Sequence, residues 1–302
     1  MRHTPFAAVL LLAVVSSSCG EPVGEPDAGT AMDGAVADGA VADGAVDDGG
    51  SSGDAARPDA GDSGTSPAGA RDHLVLDGVG ASTRVVAGFI DWQLAILFHD
   101  ATAGALKLAV AEHEAPVRAE DWTIVTLITP FTGPFDARFE ANSIAIVYYD
   151  APTHSLHFAL TTAALPTGVG DVQTHLVDDV GDVGSHLALA GPTPYAIAYY
   201  DATGGDLELA VATVDAPATT ADWSKETIDS AGDVGQYPSL VATPAGVDIA
   251  YYDVTNGDLK YSRELRAPTG IEVVDSSGDV GRFATLLLGG NSGLAEYSAP
   301  TG

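Results

Sequence analysis

Basic residues are scarce in this chain. Twelve Lys and Arg stand against 42 Asp and Glu, and the formal charge is −30. That balance argues against nucleic acid as a partner, because phosphate binding needs a basic footprint. It argues equally against adhesion to an anionic membrane surface. Cysteine is almost missing. With Cys19 alone, no disulfide forms within one chain and no thiol serves the folded region. Long apolar runs are missing too. Phe6–Val15 is too short for an ordinary membrane span. From residue 73 onward there is no helical periodicity, which argues against a helical solenoid.

The short apolar run follows Arg2 and His3 and ends in Ser16-Ser17-Ser18-Cys19. A basic start, an apolar centre and small residues before a cut read as an export signal. The segment 1–19 resembles a bacterial lipoprotein signal, in which the cysteine becomes the lipidated first residue. Ser17 and Ser18 suit that pattern. Ser16 departs from it, since Leu or Val is usual there. The resemblance implies a membrane anchor through lipidated Cys19, and Gly20 after it implies sorting to the outer membrane or cell surface. Several acyl chains make such an anchor stable, where one is marginal.

Residues 20–72 repeat Asp-Gly-Ala-Val-Ala, starting at Asp33, Asp38 and Asp43, and contain no aromatic residue. Such a segment buries too little apolar surface to offset its ordering entropy. It is expected to be a disordered tether. About fifty residues at roughly 5–6 Å × √n give it a reach of ~40 Å.

Residues 73–302 carry a repeat. Ile249-Ala-Tyr-Tyr-Asp253 recurs as Ile197–Asp201 and Ile146–Asp150, and in weaker form as Ile96–Asp100. The terminal aspartates lie 50, 51 and 52 residues apart. Each unit reads as four short strands divided by Gly, Pro and Asp, which indicates an all-β fold. Four strands repeated every fifty residues indicate a β-propeller, here of five blades. The fifth unit ends before its third strand, so His73–Asp77 is expected to help close the ring. Middle strands of stacked blades are buried on both sides. Ile-Ala-Tyr-Tyr accordingly shows no apolar/polar alternation, and each of its tyrosines is expected in an interblade layer.

Strand direction places two sets of loops on one face. The turns after the second strands carry Asp100, Asp150, Asp201, Asp206, Asp253 and Asp258. The Gly-Asp-Val-Gly connections between units carry Asp182, Asp233 and Asp279. These acids are expected to ring one face. They have two readings. Asp before a Gly-containing turn accepts backbone N–H groups, and clustered carboxylates supply the oxygen ligands that Ca2+ requires. The opposite face receives loops such as Glu112–Asp121 and Val214–Asp222, expected to differ between units.

Pro238-Ser-Leu, Ile249–Asp253 and Gly257-Asp-Leu-Lys-Tyr261, with Trp223 for the last element, resemble blades of bacterial secreted propellers. The layout is similar to sialidase-type blades and, in five-fold form, to tachylectin-type lectins. The Ser-x-Asp-x-Gly-x-Thr-Trp box of sialidase-type blades is absent. The chain is expected to be a monomeric, non-catalytic binding module for a glycan or a basic protein, with Ca2+ as its candidate cation. A glycosidase or sialidase-like enzyme with an axial active site is the alternative. A glycosidase needs two or three non-equivalent carboxylates, and the conspicuous acids here are the repeated ones.

Overall fold

The computed structural model describes residues 84–192, 194–243, 246–264, 270–288 and 295–298. Cys19, the segment 20–72 and His73–Asp77 lie outside the described residues. All described residues belong to the unit His73–Gly302. They form four four-stranded antiparallel sheets and one hairpin.

The first sheet contains β1 (Val85–Ile90), β2 (Gln93–Asp100), β3 (Ala105–Ala111) and β4 (Trp122–Ile128). The second contains β5 (Phe135–Phe139), β6 (Ile144–Asp150), β7 (Ser155–Thr161) and β8 (Val172–Asp178). The third contains β9 (Val183–Ala190), β10 (Ala196–Asp201), β11 (Asp206–Ala212) and β12 (Trp223–Asp229). The fourth contains β13 (Val234–Thr243), β14 (Gly246–Asp253), β15 (Asp258–Glu264) and β16 (Gly270–Asp275). The hairpin pairs β17 (Thr285–Leu288) with β18 (Ala295–Ser298). Within each sheet the strands follow chain order.

The sheets stack through their second strands, where side chains alternate between faces. In β6, Ile144, Ile146 and Tyr148 join the core shared with the first sheet. Ala145, Val147 and Tyr149 join the core shared with the third. In β10, Ile197 and Tyr199 face the second sheet, and Ala196 and Ala198 face the fourth. The bulky set therefore points back and the smaller set forward, which interleaves successive sheets at close range. This arrangement is propeller-like. The first tyrosine of each pair points back into one layer and the second forward into the next.

The hydroxyl of the first tyrosine needs an acceptor inside that layer. Tyr199 donates to Asp178 of the preceding sheet at 2.7 Å, and Tyr251 donates to Asp229 at 2.8 Å. Each buried aspartate also holds a lysine of the following sheet. Lys225 lies 2.6 Å from Asp178, and Lys260 lies 3.1 Å from Asp229 and 2.8 Å from Asp253. In the second sheet Tyr148 has Ile128 at the corresponding place before it. Its ring packs on Phe131 and stacks on His157 instead. A further tie lies on the first strands. Asp136 of β5 accepts Arg84 at 2.8 Å and the backbone N–H of Leu189 at 2.9 Å, joining three sheets.

The loops before the fourth strands are more alike than expected. Ala119–Asp121, Val169–Asp171 and Thr220–Asp222 are each a single 3-10 turn. In each, the aspartate accepts backbone N–H groups, from Val117 and Arg118, from Thr167, and from Ala218 and Thr219. The turn is held by one residue per loop, so the rest of the loop varies freely.

Replacing Lys260 with Met leaves Asp229 and Asp253 buried without their cation. Breaking a buried pair from one side costs about 3–5 kcal/mol. Chemical denaturation of the Lys260→Met chain is expected to show a loss of that size. A loss under about 1 kcal/mol contradicts this role for the junction.

Candidate functional site

The structure divides the expected ring of acids into three groups. The first ends the second strands. Asp100 accepts the N–H groups of Thr102 and Ala103 and pairs with Lys107 at 2.7 Å. Asp253 accepts Asn256 N–H and pairs with Lys260. Both are buried. Asp150 accepts the Thr153 hydroxyl, and Asp201 accepts Thr203 N–H. The turn reading describes these four. The Lys107 hydrogen bond, followed by the Ala103 N–H, holds the Asp100 carboxyl below the usual carboxylate range. Burial pushes Asp253 up, but Lys260 and Asn256 outweigh it, and the result is again a lowered value.

The second group opens the third strands. Asp206 stands opposite Asp201, and Asp258 opposite Asp253. Burial, then Asp201 and Asp229, push the Asp206 carboxyl up. Among the described residues, no three His, Cys, Asp or Glu side chains converge in a way that could hold a metal ion.

The third group lies in the Gly-Asp-Val-Gly connections. Asp182 accepts Tyr149 at 2.8 Å, Asp233 accepts Tyr200 at 2.8 Å and Asp279 accepts Tyr252 at 2.6 Å. The second tyrosine of every pair is thus tied to the next connection. Burial, then the bond to Asp182, push the Tyr149 phenol up to about 12. His154 lies 3.2 Å from Asp182, and Arg282 lies 3.1 Å from Asp279. The glycines of these connections permit close approach. Gly235 has φ +98°, and a Cβ there would stand 2.7 Å from Leu207 Cα.

Three rings follow those connections at equivalent positions: His186, Tyr237 and Phe283. They touch in series, His186 edge-on to Tyr237 and Tyr237 tilted against Phe283. His186 and Tyr237 centroids lie 4.4 Å apart, as do those of Tyr237 and Phe283. The ladder leans on the tied tyrosines, with His186 5.9 Å from Tyr200 and Tyr237 6.3 Å from Tyr252. The Arg282 guanidinium covers the Tyr252 ring at 4.8 Å. Tyr237 and Phe283 have φ of +50° and +60°. That region costs a bulky residue on the order of 1–3 kcal/mol. Phe283 is 65% exposed. The sequence reading missed this ladder because His, Tyr and Phe share a place but not an identity.

A second feature breaks the repeat. Seven residues after the second-strand aspartate stand Lys107, His157, Glu208 and Lys260. Only the third sheet has an acid there, and its lysine comes from β12 as Lys225. Glu208 accepts Thr227 at 2.6 Å. It lines a cleft of about 340 Å³ with Asp178, Tyr199, Asp201 and Lys225. Burial, then Asp206, Asp201 and Asp178, push the Glu208 carboxyl up against the Thr227 bond.

No family model matches the chain, and no curated protein does. Solved structures similar to it include two propeller-containing chains of low identity. One is a bifunctional GH43-CE protein from Bacteroides eggerthii, with 13% identity and a TM-score of 0.39 over 65% of this chain and 28% of that one. The other is a subtype N10 neuraminidase-like protein of A/little yellow-shouldered bat/Guatemala/060/2010, with 8% identity and a TM-score of 0.39 over 65% and 58%. The chain thus spans well under two thirds of either protein.

Raised in the fold, the Glu208 pKa gives stability that is complete below its unfolded value near about 4.3 and is lost as pH rises toward the folded value. Glu208→Gln removes that loss. The variant is expected to melt above the parent at pH 7 and level with it near pH 4. Melting curves across that range check this, and a gap independent of pH contradicts it.

Proposed function

We propose that this chain is a lipid-anchored, five-bladed propeller that binds glycans without turning them over. The His186–Tyr237–Phe283 ladder is the observation that carries the reading. Two aromatic residues kept at positive φ indicate a purpose beyond packing. Clustered rings, one of them exposed, beside a few placed polar groups suit a ligand with both apolar faces and hydroxyls. Asp279 and Arg282 supply an acceptor and a donor next to the exposed Phe283 ring. Lipidation at Cys19 would hold this face outside the cell, with residues 20–72 as spacer. A basic protein partner is the competing ligand, drawn by the acidic surface, and its affinity falls steeply with salt.

Glu208 favours a second reading. A cleft with one carboxyl pushed up and Asp178 paired to Lys225 resembles the division of roles in acid/base hydrolysis.

A glycan array and a panel of chromogenic glycosides separate these readings. The Cys19→Ser chain is expected in the soluble fraction and to bind selected glycans with no turnover. Phe283→Ala is expected to weaken binding at least tenfold, a loss of about 1.4 kcal/mol, with the melting temperature unchanged. Chelation of calcium is expected to leave affinity the same. Turnover that Glu208→Gln abolishes replaces the binding reading with the hydrolytic one.

A further inference from the structure

The cleft at Glu208 lies where the repeat elsewhere puts an ammonium group. Glu208 stands directly across the hairpin from Tyr199, as Lys260 does from Tyr251 and Lys107 from Phe98. In the fourth sheet the Lys260 ammonium sits between Asp253 of its own sheet and Asp229 of the preceding one, at 2.8 and 3.1 Å. In the first sheet the Lys107 ammonium holds Asp100 at 2.7 Å. The third sheet keeps the whole setting except the lysine. Asp201 stands for Asp253, Asp178 for Asp229, and the tyrosine bond between layers is the same.

Lys225 does not fill that place. Tyr251 and Lys260 share one oxygen of Asp229. On Asp178, Tyr199 takes one oxygen and Lys225 takes the other, at 2.6 Å. The oxygen that faces the Lys260 position in the next layer therefore has no ammonium here. Asp201 accepts Thr203 N–H and Glu208 accepts the Thr227 hydroxyl, each through one oxygen. Among the described residues, neither forms an ion pair. Burial and the neighbouring carboxylates push Glu208 up, the direction expected of a group that faces like charge without a cation of its own.

The space itself suits a small organic cation. Its volume is about 340 Å³, against about 30 Å³ for one water. Val180, Val183 and Tyr199 give it an apolar wall. An ammonium has three donors and is satisfied by separate acceptors, as Lys260 is by two carboxylates. A calcium ion needs six or more oxygens, and no such convergence exists among the described residues.

We propose that this cleft binds a small aliphatic amine. Its ammonium takes the place between Asp178 and Asp201 that Lys260 Nζ takes in the next layer, with Glu208 as third acceptor, and its alkyl chain lies along Val180, Val183 and Tyr199. The site is separate from the aromatic ladder and stands whether or not that face binds glycans.

The lysine side chain beyond Cα is n-butylamine, which is the probe. With the Cys19→Ser chain, n-butylamine at neutral pH is expected to raise the melting temperature saturably, by about 2–4 °C, relative to sodium chloride of equal ionic strength. Glu208→Lys supplies the missing ammonium from within. It is expected to melt about 2–4 °C above the parent and to show no further rise with the amine. No rise in the parent, an equal rise in Glu208→Lys, or an equal rise with tetramethylammonium, which donates no hydrogen bond, overturns the proposal. Amide NMR shifts of the unsubstituted cleft need no change at Glu208. Saturable shifts centred on Val180, Asp201 and Thr227 are expected, and shifts spread over the acidic surface overturn it.

Discussion

Each second strand in this fold is apolar on both sides, and that condition governs the rest. A strand of this kind cannot face water on either side without losing about 25 cal/mol for each Å² left exposed. Ile144–Tyr148 illustrates the consequence, with alternate residues in two separate cores. Sheets must stack, and a fifty-residue period gives each one the same pair of neighbours. Once stacked, the layers enclose the tyrosine hydroxyls. A buried hydroxyl without an acceptor costs about 1–3 kcal/mol. Asp178 and Asp229 meet that need and create another, since a buried carboxylate requires a cation. Lys225 and Lys260 follow. The charge pattern inside the layers is therefore a consequence of the apolar pattern that encloses it.

Much of this was legible in the sequence. The period gave the strands, the pairing of tyrosines with layers and the placement of the turns. The fate of the acids was not legible. Asp100 and Asp253 look the same in sequence as Asp150 and Asp201, yet the first two are buried on lysines. What separates them is the residue seven places on, across the hairpin and two residues along from the directly paired position, a diagonal neighbour within reach of a long side chain. Asp178 and Asp229 belong to no motif, and their roles depend on a strand of the next sheet. The 3-10 turns were within reach, because Asp121, Asp171 and Asp222 each follow the second-strand aspartate by 21 residues. Variable loop lettering around them concealed a constant spacing.

The two features that set this chain apart from a plain repeat arise in opposite ways. At Glu208 the repeat is broken. A lysine position has become acidic, the compensating cation has moved to β12, and the layer keeps more negative than positive charge. At His186, Tyr237 and Phe283 the repeat is kept in place and changed in identity. Substitution there is tolerated because the side chains leave the layers and stand above them. The fold constrains the first kind of change strongly and the second weakly. A face that must adapt to ligands is more readily made from the second kind.

The ladder also depends on the layers beneath it. His186 and Tyr237 belong to different sheets, and their 4.4 Å separation is a distance between sheets. Nothing within either sheet fixes it. It is set by how closely Gly235 lets the fourth sheet approach Leu207, and by the Tyr200–Asp233 bond that ties the third sheet to the connection leading into the fourth. Tyr252 and Asp279 repeat the arrangement beneath Phe283. The tyrosine–aspartate pairs of the rim thus act as spacers for the rings above them. Asp233 and Asp279, which first stand out as ligand candidates, each turn one carboxylate oxygen toward that task.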